Sequence, residues 1–330
     1  MGFFIDTDTL PQEKFGMCTG VAWWGRPGRN MKAFLFCIAW LIVSFASSGQ
    51  AGTKLRASLL FDRASTHAAR QEWKDALRCF DEAFTLDPWQ APYYYEAFSA
   101  ALAMGDTARA NEMLRAGVHH GFNPEVWTGD KKLVGFLAGP SSTPFRAHWD
   151  EDKRAFTVLV DTTFISELDS MVIEDQRFRA EEWGPQMHLV DSLNFEGLIH
   201  HFDHYGLPDP PTLRAAYGNL FLLLWHHRGP EYPGSPQWQR VLPHIRKAID
   251  EGLLEPSFLC MFDDFSDHER GLPMRYGALL YYFSALPESL YFVDWDTLTS
   301  NRASVGWGPI EDFAIQMGVS LSNVRFAPKP

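Results

Sequence analysis

The sequence predicts an all-α protein in which helical hairpins precede a compact helical domain. Apolar residues recur at spacings of three and four over most of the chain, and stretches rich in Gly and Pro separate these periodic segments. One segment also repeats itself with a period typical of stacked helix pairs. The 26 Phe and 12 Trp residues favour broad packed interfaces between helices and argue against disorder.

The length of 330 residues predicts two folded units and a targeting segment. We divide the chain into a leader and signal peptide (1–51), a repeat pair (52–122), a linker (123–154) and a helical domain (155–330). The formal net charge is -12, and no run of Lys and Arg occurs. A nucleic-acid partner is therefore not expected, since phosphate neutralisation requires clustered positive charge.

The segment after Met31 has the three parts of a secretory signal peptide. Lys32 precedes the apolar run 33–46, and small residues follow up to Ala51. The run is shorter than the roughly 20 residues that a transmembrane helix needs. We therefore expect translation to start at Met31, cleavage after Ala51, and a periplasmic or secreted protein that touches the membrane only if the segment stays uncleaved.

Two cysteines, Cys79 and Cys260, lie outside the signal segment. Two cysteines so far apart do not form a disulfide framework. A single bridge is possible in an oxidising compartment, but two buried free thiols are the preferred interpretation.

A 34-residue period is visible after the signal segment. Counting from Ala57, positions 20, 24 and 27 hold small or large apolar residues in two successive units, namely Ala76, Phe80 and Ala83, then Ala110, Leu114 and Gly117. Small residues let two helices approach closely, and a large residue fills the neighbouring hole. The pattern resembles tetratricopeptide repeats, with Phe98 in place of a small residue in the second unit. Two units are few for a free solenoid, so we expect them to lean on the following domain.

The periodicity after the linker predicts a series of helices. The apolar residues from Phe164 to Ile173 indicate a helix, while β-branched residues in 156–161 allow a short strand. Later helices are expected at 186–205, 212–226, 237–251, 256–267, 273–285 and 309–317.

Six short motifs follow one another along this domain. They are Asp175-Gln176-Arg177-Phe178-Arg179, Gly206-Leu207-Pro208, His226-His227, Asp263-Asp264, Tyr276-Gly277, and Asn301-Arg302 with Gly306-Trp307-Gly308-Pro309. Their order over residues 160–320 resembles a bacterial family catalogued as domain of unknown function 6624. The departures are His226 where Gln is common, Met274-Arg275 where a Gln is usual before the Tyr, and Trp307 in place of Leu. The resemblance implies no particular activity.

Residues of these motifs are the candidate site. Asp175 can pair with Arg179 one turn later, as an ordinary surface ion pair. If Asp175 instead enters a cleft with His227 and Asp264, a carboxylate can orient the imidazole as a general base. We therefore name His227, Asp175 and Asp264 as candidate catalytic residues. Gln176, Tyr276 and Arg302 are candidate binding residues, although a guanidinium such as Arg302, which follows Asp294 and Asp296, more often ties a helix to a neighbouring carboxylate.

No metal or cofactor is predicted. His200 and His204 lie one helical turn apart, with Asp203 between them, but no third ligand follows from spacing. The acidic run from Asp263 to Glu269 lacks the glycine of a calcium loop, and we expect only Asp264 to point inward. No Gly-x-Ser-x-Gly elbow and no phosphate-binding Gly-rich loop is present.

The functional interpretation stays open among three classes. The first is an exported module that binds a protein or peptide, which we place ahead of the others. The alternative is an acid–base hydrolase that uses His227 with Asp175 or Asp264. The third is a structural envelope protein whose polar residues join helices.

Overall fold

A computed structural model describes residues 49–127, 129–180, 184–228, 232–283, 290–322 and 324–329. Met31 and most of the predicted signal segment lie outside these ranges, and the predicted cleavage after Ala51 falls in the first turn of the first helix. None of the helices in the described ranges combines the length and the apolarity that a membrane crossing demands.

The amino-terminal unit begins with two helical hairpins. The first consists of α1 (Gly49–Ala69) and α2 (Trp73–Leu86), and the second of α3 (Ala91–Ala103) and α4 (Thr107–His119). The tight turns contain Gln71 with φ 62° and Gly105 with φ 76°, and a positive φ at this point reverses the chain after a helix. The side chain of Asp106 caps α4 by accepting a hydrogen bond from the backbone N–H of Arg109.

The repeat positions predicted from the sequence are all in the interior of these hairpins. Ala76 and Ala110, Phe80 and Leu114, and Ala83 are fully enclosed, and Gly117 is buried. A Cβ atom at Gly117 would lie 2.8 Å from Cβ of Tyr94, so α3 and α4 approach closely only because this residue is glycine. The assignment of these hairpins to tetratricopeptide repeats stays a prediction.

The segment 123–154 differs from the linker that we expected. It contains α5 (Lys131–Ala138), α6 (Thr143–Arg146), and, from 149 onward, α7 (Trp149–Thr157), together with single 3₁₀ turns at Pro124–Val126 and Pro140–Ser142. Leu133, Phe136 and Phe145 from this segment join the core of the amino-terminal unit. Each helix is too short for its periodicity to stand out between the Gly and Pro residues, and for this reason the sequence suggested a connection.

The carboxyl-terminal unit is helical, as predicted. It comprises α8 (Thr162–Ala180), α9 (Gly184–Tyr205), α10 (Pro210–His226), α11 (Pro236–Asp250), α12 (Cys260–Glu269), α13 (Leu280–Phe283), α14 (Trp295–Ser304) and α15 (Ile310–Met317), with a 3₁₀ turn at Pro256–Leu259. Two three-residue strands, β1 (Leu290–Phe292) and β2 (Val324–Phe326), pair in parallel.

Two local predictions are corrected. Residues 156–161 form the end of α7 and a turn, because a β-branched run without a partner strand gains nothing from an extended conformation. The helix expected at 273–285 is reduced to α13, because the N–H groups of Arg275, Tyr276 and Ala278 bind the carboxylate of Asp264. Residues 284–289 lie outside the described ranges.

Each unit has its own core, and buried polar contacts join the two. The first core extends from Ala57 to Phe145 and the second from Phe164 to Met317. Asp62 of α1 accepts hydrogen bonds from the backbone N–H of Gly308 and from the Gln316 amide of α15, both at 2.9 Å. Cys79 lies in the first core and Cys260 in the second, and both are buried cysteines outside any disulfide bond, as we expected.

Candidate functional site

Three helices bring charged side chains together at one end of the carboxyl-terminal unit. Asp175 and Arg179 lie on α8, Asp191 lies on the neighbouring α9, and His226 is the last residue of α10. Antiparallel packing of α8 and α9 is fixed nearby by a hydrogen bond that the Asn194 amide donates to the Met171 carbonyl. We call Asp175, Arg179, Asp191 and His226 the charge cluster.

Asp175 is the centre of the charge cluster. Its side chain is 1% exposed, and both of its carboxylate oxygens lie 3.0 Å from Nδ1 of His226. Nη2 of Arg179 donates to Oδ1 at 3.1 Å, and the amide of Gln176 donates to Oδ2 at 2.7 Å. The i,i+4 pair of Asp175 with Arg179 that the sequence allowed is therefore present, within a larger buried network.

The position of the His226 proton follows from its neighbours. Nε of Arg179, which can only donate, lies 3.0 Å from Nδ1 of His226 and 3.2 Å from Oδ2 of Asp175. We assign the Arg179 proton to the carboxylate, because a charge-assisted hydrogen bond is the stronger of the two. Nδ1–H of His226 then donates to Asp175 as well, and Nε2 carries the lone pair. Among the described residues, none makes a hydrogen bond to Nε2 of His226.

The pKa values of the two carboxyl groups in the charge cluster are shifted in opposite directions. Burial would raise the pKa of Asp175, but the combined effect of His226 and Arg179 lowers it to about 2. Burial raises the pKa of Asp191 to about 6, and the neighbouring Asp175 adds to this rise while Arg179 opposes it. Burial also lowers the pKa of His226, against the pull of Asp175, so the imidazole is neutral near pH 7.

The cluster has the composition of a metal site but already contains a cation. One ligand atom from each of Asp175, Asp191 and His226 lies within 4.8 Å of the other two. The guanidinium of Arg179 contacts all three side chains, including Asp191 through Nη2. A metal ion would have to displace this guanidinium, so the geometry fits an internal ion-pair network better than metal coordination.

His227 is turned away from Asp175. Its ring lies 4.0 Å, centroid to centroid, from the ring of Phe195, and its carbonyl accepts a hydrogen bond from Nε1 of Trp238 at 2.9 Å. Successive residues of a helix point about 100° apart, so only one of the two histidines can face α8. His226 is that residue.

Asp264, Tyr276 and Arg302 form a separate cluster. The buried carboxylate of Asp264 accepts backbone hydrogen bonds from Arg275, Tyr276 and Ala278 at 2.7 to 2.9 Å. Arg302 is buried and donates to the carbonyls of Tyr276 at 2.8 Å and Gly308 at 2.7 Å. Asp264 points inward, as expected, but it is not alone in the acidic run, because Asp267 is also buried. Arg302 ties two backbone segments together through carbonyls, and not a helix to a carboxylate as we expected.

The histidines of α9 do not share a ligand position. Nδ1 of His204 lies 2.8 Å from the carbonyl of His200, and Asp203 pairs instead with Arg240 at 3.1 Å and His244 at 2.9 Å. These contacts lie on an exposed helix surface.

Sequence reasoning missed Asp191. It lies four residues before Phe195 and seven before Leu198, which are both fully buried, so a carboxylate falls on the apolar stripe of α9.

Comparisons of the chain with protein-family models, with curated proteins and with solved structures found no match.

Proposed function

We propose that this protein is an acid–base enzyme of the hydrolase class in which His226, oriented by Asp175, is the general base. The observation that supports the proposal is the contact of both Asp175 oxygens with Nδ1 of His226 at 3.0 Å. Such a contact fixes the tautomer and directs the basic Nε2 away from the carboxylate. His226 thus takes the role that the sequence had suggested for His227.

The electrostatics of the charge cluster favour catalysis over a purely structural role. One carboxylate would satisfy Arg179, yet two share it, and the pKa of the second, Asp191, rises to about 6 because of burial. Neighbouring carboxyl groups whose pKa values are driven apart are typical of acid–base pairs. A binding surface needs no such arrangement.

The chemistry follows from these protonation states. A water molecule gives a proton to Nε2 of His226, and the resulting hydroxide adds to the electrophilic centre of the substrate. The imidazolium is stabilised by Asp175. Asp191, when protonated, supplies the proton that the leaving group takes away, and the proton on His226 then restores Asp191.

The test is a screen of the purified protein against chromogenic esters, phosphates, glycosides and amides, repeated with two histidine variants. His226→Gln should abolish whatever hydrolysis is found. His244→Gln is the matched control, because His244 also contacts a carboxylate, that of Asp203, but on an exposed surface. Absence of hydrolysis across the panel, or equal activity in wild type and His226→Gln, would contradict the proposal.

A binding function is the second candidate, and a specific surface favours it. Three large apolar side chains on two adjoining helices are exposed: Ile173 on α8 is 58% exposed, and Leu189 and Leu193 on α9 are 59% and 61% exposed. Exposed large apolar side chains of this kind are typical of peptide-binding surfaces. Selection of binding peptides from a displayed library tests this candidate, with the Leu189→Lys, Leu193→Lys double variant as the comparison. If no peptide is selected, or if the selected peptides bind equally to wild type and to the double variant, the candidate is contradicted.

We also propose, from the sequence motifs alone, that residues 160–320 belong to the domain of unknown function 6624 family and that the protein is exported to the periplasm or secreted. The tripartite segment that ends at Ala51 supports export. Amino-terminal sequencing of the exported protein tests it, with a first residue at Gly52 as the expected result.

A further inference from the structure

Arg228 lies two residues after His226, just past the end of α10, and its guanidinium packs against two aromatic rings. Its Cζ atom is 4.1 Å from the ring centroid of Trp225 and 4.2 Å from that of Phe265. Nη1 donates to the carbonyl of Trp225 at 2.7 Å. The two rings are nearly perpendicular, with centroids 5.3 Å apart and an interplanar angle of 70°, so the guanidinium lies in the corner that they form. These ring contacts and the hydrogen bond to Trp225 restrict its orientation.

This guanidinium lacks a carboxylate partner within the part of the chain that the structure describes. No Asp or Glu oxygen there lies within 4.0 Å of it, whereas Arg214 pairs with Glu255, and Arg179 with both Asp175 and Asp191. Nε of Arg228 is buried and meets no hydrogen-bond acceptor among the described residues. Burial lowers the pKa of Arg228 to about 10, which reflects an incompletely compensated charge.

Among the residues that the structure describes, Arg302 also has a largely buried guanidinium without a carboxylate at contact distance, and the difference between the two is informative. Arg302 is enclosed, and its Nε and Nη1 donate to the carbonyls of Gly308 and Tyr276, so that only Nη2 meets no acceptor among the described residues. Arg228 is only partly buried and donates to one carbonyl. Its largest electrostatic interaction is with Glu269, which lies beyond contact distance, followed by Arg179 and, more weakly, Asp191 of the charge cluster. Arg302 therefore has a structural role that Arg228 does not share.

We propose that Arg228 binds an anionic group of the substrate, a carboxylate or a phosphate, next to the general base His226. This inference rests on the proposed function for the word substrate, but the anion site itself stands on the geometry of Arg228. A guanidinium fixed on aromatic faces is weakly hydrated and presents a fork of N–H groups that matches a planar carboxylate or a phosphate edge. An anion there would compensate a charge whose burial is otherwise unfavourable.

The experiment is calorimetric titration of the full chain with inorganic phosphate and, separately, with acetate, at constant ionic strength set with chloride. Wild type should bind at least one of the two saturably, and the stronger of the two identifies the chemistry of the group. Arg228→Gln should weaken this binding at least tenfold. Arg325→Gln, which removes an exposed guanidinium stacked on Tyr291, should bind as wild type does.

Arg228→Lys provides the second variant if Arg228→Gln does not fold, since it keeps the charge and loses the fork. It should bind the same anion several-fold more weakly. No saturable binding of either anion by wild type, or equal binding by wild type and a folded Arg228 variant, would overturn the proposal. His226→Gln separates the two hypotheses, because it should lose hydrolysis and still bind the anion with unchanged affinity. Anion binding can therefore succeed while the hydrolase proposal fails, and hydrolysis can be found while anion binding at Arg228 fails.

Discussion

Both carboxylate oxygens of Asp175 lie 3.0 Å from Nδ1 of His226, although 51 residues separate the two in the chain. The contact crosses the interface of α8 and α10, and Arg179 and Asp191 surround it. A buried imidazole that is held in one tautomer by a buried carboxylate is a component of many acid–base sites. Its consequences for stability and for pH dependence can be measured without knowledge of the substrate.

Asp175→Asn should lower the free energy of unfolding by roughly 3 kcal/mol at pH 7, because it removes the carboxylate from a buried network and leaves Arg179 with Asp191 alone. Urea denaturation measures this change. Asp203→Asn is the control, because Asp203 makes similar contacts with Arg240 and His244 on an exposed surface, and its unfolding midpoint should hardly move. Equal midpoints for the two variants would show that the Asp175 network contributes little to folding.

Asp191→Asn should change the pH dependence of stability between about pH 4 and pH 6. The folded-state pKa of Asp191, about 6, is above its ordinary value of 3.8, so the stability that this group contributes is complete below pH 4 and is lost as the pH rises to 6. Wild type should therefore lose roughly 1–2 kcal/mol more than the variant over this interval, which is less than the full shift because the site is partly hydrated.

Unfolding curves at half-unit pH steps measure the Asp191 effect. The Asp175 carboxyl makes the opposite contribution to the pH dependence of stability. Its pKa is lowered to about 2, so the stability that it contributes is present above pH 4 and is lost as the pH falls toward 2. Parallel curves for wild type and Asp191→Asn from pH 4 to pH 6 would mean that the pKa of Asp191 is not raised.

Asp264→Asn should destabilise the protein by about 2 kcal/mol or more, because an amide has one acceptor oxygen and leaves at least one buried N–H group without a partner. The loop at 273–279 should also become more susceptible to limited proteolysis. Asp296→Asn, on the exposed surface of α14, is the control and should leave both properties near wild type. A proteolysis pattern unchanged in Asp264→Asn would rule out the anchoring role.

Gly117→Ala should destabilise the protein by about 1–3 kcal/mol, because the new Cβ would lie 2.8 Å from Cβ of Tyr94 and neither atom can move without the backbone. Gly135→Ala is the matched control within another helix, α5. Apart from the adjacent backbone of its own helix, no atom lies within 4 Å of its new Cβ, so the substitution should be stabilising by about 0.5–1 kcal/mol through helix propensity. Thermal unfolding of the two variants gives the comparison, and a stabilised Gly117→Ala would refute close packing of α3 and α4.

The sequence located most helices because their signals are local. The ends of α9, α10, α11 and α15 lie within two residues of the predicted bounds, since Gly and Pro stretches interrupt the apolar periodicity there. The helix predicted at 273–285 failed because Asp264 competes for its N–H groups from a different helix. Periodicity carries no information about such a competitor.

The candidate site was found in part. Asp175 and the His226-His227 pair were recognised, and Gln176 does contact Asp175. The sequence favoured His227 over His226, however, and it combined Asp175 with Asp264, Tyr276 and Arg302, which form a second cluster around the backbone of 275–278. Both clusters contain the same residue types, so composition could not separate them.

The sequence by itself determined the helical class, the hairpin turns and the buried repeat positions, because helix periodicity, small residues at helix crossings and turn chemistry act over a few residues. The tertiary structure alone decided which histidine meets Asp175, that Asp191 joins them, and that Arg228 lacks a carboxylate partner among the described residues. These features depend on the rotation of α8, α9 and α10 about their axes. That rotation is set by packing of the whole core and not by any one segment.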